Sequence, residues 1–416
     1  MYNILVVEDS PIVRKIIKHV MIPYSQFTPV FTQSLAQAKK ALSEQSEPFF
    51  AAILDLTLPD APDGEIVDVI LAAGVPSVVL TGTFDIKKRQ ALLDKGVVDY
   101  VTKEGRFSYE YALNAVARLT KNQHTKVLVV DDSVTSRKVV SNNLKLHLFE
   151  VFEAQNAAEA IKVFLANPDI KMIVTDYHMP AMNGCELVKH FRQKYDKSDL
   201  ILIGISGDNS GALSAQFIKS GANDFLRKPF NHEEFFCRIN HNVEFIEMLE
   251  ELKDSAVRDD QTGAFKLSHF KHKAQNIVEQ ADTDGRATSI ACAAIDIHEL
   301  TAVFDEHGPE AADFVMAKVS GLLVSSFKKF LFARAGGETF YLMMQGLTNE
   351  QACAYIEKVR QMLGAKLFDV GHTDVTLSFS AGVTNASADI QERLDLACEA
   401  LQRAKDAGGD IVIGDD

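Results

Sequence analysis

The chain carries one ordered set of chemically active residues twice. Leu5-Val6-Val7-Glu8-Asp9-Ser10 delivers two adjacent acids from an apolar run, and Leu128-Val129-Val130-Asp131-Asp132-Ser133 does so again. Each pair is followed by a lone acid closing a second apolar run (Asp55, Asp176), a hydroxyl closing a third (Thr81, Ser206) and a lysine closing a fourth (Lys103, Lys228). Three carboxylates brought together repel unless a cation lies between them. Mg2+ suits the place because it takes oxygen ligands and keeps positions open for water and phosphate. With a lysine and a hydroxyl added, the set is that of a metal-dependent phosphoryl acceptor. Glu8 with Asp9, and Asp131 with Asp132, are assigned to the metal, and Asp55 and Asp176 to the attack on phosphorus. The lysines and hydroxyls then neutralise and hold the transferred oxygens. A single Asp at a strand end is more often a turn or cap residue, but recurrence of the whole ordered set argues against that reading here.

These groups can meet only if the elements bearing them are arranged to bring them together. Apolar runs alternating with amphipathic helical stretches predict parallel sheets covered on both faces, in which functional groups gather at the carboxyl ends of the strands. The expected fold class is α/β: two doubly wound parallel-sheet domains, then a third domain of α+β type. At about 150 residues per domain, 416 residues correspond to roughly three domains. Thr120 to Thr125 is short and polar, a connector between the first two. The net charge of −14 argues against a large footprint on nucleic acid, and no helix-turn-helix module is recognisable. Five cysteines without metal-ligand spacing fit reduced thiols and a cytoplasmic location. No basic start followed by an apolar stretch, and no run approaching the roughly eighteen apolar residues of a membrane helix, is present, so no membrane partner is expected.

Residues 1–120 and 125–240 resemble the receiver domains of bacterial response regulators, of flavodoxin-like, CheY-like fold. The second carries Asp176-Tyr177-His178-Met179-Pro180 after its acceptor and Asp224-Phe225-Leu226-Arg227-Lys228-Pro229 around its lysine; the first has Glu104 where proline usually follows Lys103. The resemblance implies Mg2+ ligation by Asp9, Asp55 and the Thr57 carbonyl in one domain and by Asp132, Asp176 and the His178 carbonyl in the other, assisted by Glu8 and Asp131. It places Tyr100 and Phe225 at the aromatic position that moves when Thr81 or Ser206 turns toward a bound phosphoryl group. It also implies a histidine kinase or a histidine phosphotransfer protein as phosphodonor.

From Glu233 onward, apolar residues at Phe235, Phe236, Ile239, Val243, Ile246, Leu249 and Leu252 recur every three or four positions without Pro or Gly, which predicts one helix to about Ala256. Residues 241–257 are read as a helical linker continuing the last receiver helix. Two readings stand: the helix packs on its own domain, or its far half projects so that Val243, Ile246, Leu249 and Leu252 bury against a partner helix in a homodimer or against another module.

Residues 258–416 contain Arg334-Ala335-Gly336-Gly337-Glu338-Thr339-Phe340 between apolar segments, preceded by Asp259-Asp260-Gln261-Thr262-Gly263-Ala264 and by Ile295-Asp296-Ile297. With Ser380-Ala381-Gly382-Val383 and the late helix around Lys405, these resemble the GGDEF domain of diguanylate cyclases, which condense two GTP molecules into cyclic di-GMP. Two receivers followed by this domain make a PleD-type architecture. The resemblance implies metal ligation by Asp296 and Glu338 beside the turn at Gly336 and Gly337, base contact by Asp313 and phosphate contact by Lys405. The departures are Thr339 for the turn's second acid, Phe304 for a base-contacting asparagine, and Thr301, Pro309 and Gly409 for polar or cationic residues near the phosphates. Phe304 cannot hydrogen-bond a base edge, and a site built for hydrogen bonds loses affinity when a partner is missing. The expectation is a response regulator whose degenerate GGDEF-like domain has lost synthesis; the alternative is a cyclase under receiver control.

Overall fold

Each receiver is built by aliphatic runs that pair in parallel, separated by helices with their own start signals. The computed structural model describes residues 1–416 apart from 46, 84, 208–211, 284–289, 371–372, 388 and 416. It divides into two units, Met1–Glu247 with both receivers and Met248–Asp416 with the third domain. The first receiver comprises β1 (Tyr2–Val7), α1 (Pro11–Val20), β2 (Phe27–Thr32), α2 (Leu35–Glu44), β3 (Ala51–Asp55), α3 (Glu65–Ala72), β4 (Ser77–Thr81), α4 (Ile86–Lys95), β5 (Asp99–Thr102) and α5 (Arg106–Asn122). The second comprises β6 (Lys126–Val130), α6 (Val134–Leu146), β7 (Glu150–Ala154), α7 (Ala157–Ala166), β8 (Ile170–Asp176), α8 (Gly184–Arg192), β9 (Ile201–Ser206), α9 (Ala212–Ser220), β10 (Asp224–Arg227) and α10 (His232–Val257).

Both sheets are parallel, ordered β2-β1-β3-β4-β5 and β10-β9-β8-β6-β7. Alternate residues of one strand feed opposite faces: Leu5 and Val7 enter one core, Ile4 and Val6 the other. Register explains the convergence. Val7 lies beside Leu54, Asp55 beside Leu80 and Thr81 beside Thr102, so Glu8, Asp55, Thr81 and Lys103 leave the sheet at nearly one level. In the second sheet Val130 lies beside Thr175, Asp176 beside Ile205 and Ser206 beside Arg227. Ser10 and Ser133 cap α1 and α6 immediately after the paired acids, which fixes where each strand stops.

Helix α10 runs unbroken over 26 residues. Phe235, Phe236, Ile239, Val243 and Ile246 pack in the second receiver's own core. Val243 and Ile246 therefore follow the reading in which the helix packs on its own domain and need no partner helix; Phe245, Met248 and Leu252 are the large apolar residues left exposed along α10.

Within the first unit α5 meets α10. The Arg118 guanidinium, 8% exposed, donates to Glu247 Oε2 at 2.8 Å and Oε1 at 2.6 Å, and Lys121 Nζ donates to the same carboxylate at 2.9 Å. Asn122 donates to the His147 carbonyl at 3.0 Å, His232 Nε2 lies 3.2 Å from the Val98 carbonyl, and Arg89 pairs with Glu233.

The third domain comprises β11 (Phe265–Lys266), α11 (Leu267–Thr283), β12 (Ile290–Ile297), α12 (Leu300–His307), α13 (Pro309–Ser326), β13 (Leu331–Gly336), β14 (Thr339–Gln345), α14 (Asn349–Gly364), β15 (Phe368–Val370), β16 (Thr373–Val375), β17 (Phe379–Thr384), α15 (Ile390–Asp406) and β18 (Val412–Ile413). Its main sheet is mixed, ordered β11-β13-β14-β12-β17-β18. The turn between β13 and β14 holds Gly337 at φ +55°, a left-handed conformation that glycine adopts without strain. Asp296 on β12 pairs with Thr339 at the start of β14, so the acid and the turn share one end of the sheet's strands.

Candidate functional site

In the first receiver Glu8 and Asp55 are buried at the strand ends. Among the described residues, Glu8, Asp9 and Asp55 are the one His, Cys, Asp or Glu group of three or more whose candidate ligand atoms lie within 4.8 Å of one another. Lys103 Nζ reaches Glu8 Oε2 at 2.8 Å and Asp55 Oδ2 at 2.7 Å. Glu104 in place of proline thus leaves the lysine aimed into the site. Burial raises the Glu8 carboxyl above its usual value despite the hydrogen bond from Lys103, and the charge of Asp55 adds to the rise. Burial works against the Lys103 charge, but hydrogen bonds to Asp55 and Glu8 outweigh it and the ammonium is held above its ordinary value. Thr57 donates its N–H to Asp55 at 3.2 Å. The Tyr100 hydroxyl donates to the Thr83 carbonyl at 2.9 Å, and the Thr81 hydroxyl lies 3.3 Å from that same carbonyl. Tyr100 is buried.

The second receiver repeats the lysine geometry with different support. Lys228 Nζ lies 2.7 Å from Asp131 and 2.6 Å from Asp176. His178 donates its N–H to Asp176 at 2.7 Å, and Ser136 donates its hydroxyl to Asp131 at 2.6 Å. Burial raises the Asp176 carboxyl despite Lys228, with Asp131 adding to the rise. Asp132 is exposed and, with Asp131 and Asp176, does not form as close a set as the first receiver's three acids. Ser206 is fully buried, and the ring of Phe225 packs 5.4 Å from that of Phe217. A Cβ added at Gly184 would fall 2.3 Å from the Asp176 carbonyl oxygen, so glycine is required where α8 passes Asp176.

In the third domain the acids named from sequence are answered by the chain's own side chains. Thr339 donates its hydroxyl to Asp296 Oδ1 at 2.6 Å, and Lys405 pairs with the other oxygen of the same carboxylate. Thr301 lies 3.3 Å from Glu338, whose carboxyl burial raises against that hydrogen bond, with the charge of Asp296 adding. Gln261 Nε2 donates to Asp313 at 2.6 Å. Arg334 donates to the Gly337 carbonyl at 3.0 Å and to Gln261 Oε1 at 2.7 Å. A cavity of 330 Å3 lies among Gln261, Thr301, Asp313, Arg334 and Glu338, bounded also by Leu300, Met316 and the half-exposed ring of Phe304. Gln261 and Arg334 lie within the motif segments that carry the resemblance but are not among the expected site residues; their position beside the turn and the early segment was the signal that could have found them.

The receiver family model (response regulator receiver domain) matches residues 4–109 and 127–240, more than half of the chain. The chain belongs to the response regulators. The model described as diguanylate cyclase, GGDEF domain, matches residues 256–410 of this response regulator, so its output domain is of GGDEF type. The chemotaxis protein CheY homolog of Campylobacter jejuni is 40% identical over 108 residues, covering 25% of this chain and 82% of that protein. Response regulator PleD of Caulobacter vibrioides is 23% identical over 303 residues, covering 70% of this chain and 65% of that protein. A crystal structure described as a two-component system response regulator/GGDEF domain protein is 42% identical and covers 59% of this chain and 100% of the other, with a TM-score of 0.55. Receiver domains accept phosphoryl groups from histidine kinases or phosphotransfer proteins and generally bind Mg2+ through acidic residues. Among the described residues no helix is long and apolar enough to cross a membrane.

Proposed function

We propose that this response regulator accepts phosphoryl groups on Asp55 and Asp176 from a phosphohistidine donor, and signals through a GGDEF-type domain that no longer makes cyclic di-GMP but engages a protein partner. The acceptor half of the reading is supported by two lysines that each bridge an acceptor aspartate and a second buried acid. Three first-receiver carboxylates in close contact, one of them raised by burial, suit a divalent cation. Glu8, Asp9 and Asp55 would hold Mg2+, which when bound supplies positive charge to the transferring oxygens; Asp131, Asp132 and Asp176 are assigned the same task in the second receiver. A carboxylate oxygen of Asp55 or Asp176 is the nucleophile, and the donor imidazole is the leaving group. Lys103 or Lys228 remains charged across the neutral range, because its carboxylate partners hold its proton, and compensates the charge gathered at phosphorus. Thr81 or Ser206 then turns to a phosphoryl oxygen, and Tyr100 or Phe225 follows, giving a two-state element.

The observation carrying the output half is the double engagement of Asp296 by Thr339 and Lys405. An acid paired to a fixed ammonium has its charge compensated already, and Thr339 supplies no second acid for a two-ion site. Incubation with a small acyl phosphate and Mg2+, followed by intact-mass measurement, tests the acceptors: the parent chain should gain up to two phosphoryl groups. Wild-type labelling of an Asp55→Asn, Asp176→Asn double variant would sink the assignment.

A further inference from the structure

The segment that leaves α10 places an amide against the acid assigned to base contact. Val257 ends α10, and Asp259 to Gly263 form a closed turn: the Asp259 N–H donates to the Ala264 carbonyl and the Gly263 N–H to the Asp259 carbonyl, both at 2.8 Å. The Asp259 carboxylate accepts from the Thr262 N–H at 3.0 Å, the Thr262 hydroxyl at 2.7 Å and Arg334 Nη1 at 3.1 Å. Gln261 is thereby fixed at the rim of the 330 Å3 cavity. Both ends of its amide are used: Nε2 on Asp313 Oδ1 at 2.6 Å, Oε1 on Arg334 Nη1 at 2.7 Å. A primary amide presents a donor and an acceptor side by side, as guanine does with its ring N1–H and its O6 carbonyl. Leu300, Met316 and Phe304 form the apolar wall beside it.

We infer that Gln261 is an intramolecular occupant of the base side of this cavity, an autoinhibitory contact carried on the turn that follows α10. The inference rests on the assignment of Asp313 to base contact and explains why a GGDEF-type domain with a cavity still present would hold guanine nucleotide poorly. A tethered group competes at an effective concentration that a free ligand must exceed. Its hydrogen bond goes to a charged acceptor, so removing it frees a contact worth about tenfold or more in affinity.

The test is equilibrium binding of a fluorescent ribose-labelled GTP to the full-length protein with Mg2+, beside Gln261→Ala and Gln261→Leu. Leucine keeps the bulk and removes both hydrogen-bonding groups, which guards against a folding defect in the alanine variant. Both variants should bind about tenfold more tightly than the parent, and a further Asp313→Ala change should erase the gain. Binding no tighter than the parent's in both variants, or a gain that survives loss of Asp313, overturns the inference. Cyclic di-GMP production is read separately. Synthesis by the parent would defeat the proposed output function, whereas the ratio of affinities between variants and parent alone decides the role of Gln261.

Discussion

Replacing Lys103 by alanine removes one ammonium that contacts two buried carboxylates at 2.8 and 2.7 Å. Hydrogen bonds to charged groups contribute about 1.5–3 kcal/mol each, and stripping one partner from a buried pair costs about 3–5 kcal/mol. Two factors reduce the loss. The lysine side chain is 15% exposed, so it gives back a desolvation cost on removal; and Glu8, already raised, can take up a proton in place of the lost cation. A net loss of about 2–3 kcal/mol is expected without divalent cation, a fall of roughly 4–12 °C in melting temperature for a unit of this size. Mg2+ supplies positive charge at the same carboxylates, so millimolar Mg2+ should stabilise Lys103→Ala more than the parent. Differential scanning calorimetry of parent and variant, with Mg2+ and with a chelator, measures both terms. A variant that melts with the parent in chelator, or gains no more from Mg2+ than the parent does, would refute the reasoning.

Glu247→Ala leaves the Arg118 guanidinium, 8% exposed, without its bidentate carboxylate, and should cost about 2–3 kcal/mol by denaturant titration; Lys121→Ala, at the exposed edge of the same cluster, should cost under about 0.5 kcal/mol. Burial, then the neighbouring His232, depresses the His147 imidazole well below its usual value. Its contribution is fully present above the unfolded value of about 6.5 and is lost as pH falls below that value, so the stability of the parent relative to His147→Phe should decline between pH 7.5 and 5.5; a pH-independent difference would contradict it. Gly184→Ala forces a methyl group to within 2.3 Å of the Asp176 carbonyl oxygen, and should slow labelling of Asp176 while leaving Asp55 unaffected, as peptide mapping by mass spectrometry would show.

The convergence of the named receiver residues was legible because each ends or directly follows an apolar run, and parallel pairing carries run ends to one level. Adjacency of acids was a weaker guide. Consecutive side chains at a strand end diverge, so Asp131 is buried against Lys228 while Asp132 faces solvent. Periodicity along α10 correctly marks Val243 and Ile246 as buried positions but does not say against what, and they belong to the receiver core rather than to a partner helix. The contact of Arg118 with Glu247 joins residues 129 positions apart, and nothing local announces such a pair. The same holds for Gln261 and Asp313, which meet only because the turn after α10 folds back on α13.

Cyclic di-GMP formation by the phosphorylated full-length chain is the most direct test of the output reading. With phosphoryl occupancy of Asp55 and Asp176 established by mass, and with GTP and Mg2+ supplied, product should not rise above that of an Asp296→Ala variant. Sustained turnover by the parent that Asp296→Ala abolishes would contradict the account and assign the third domain as a working cyclase.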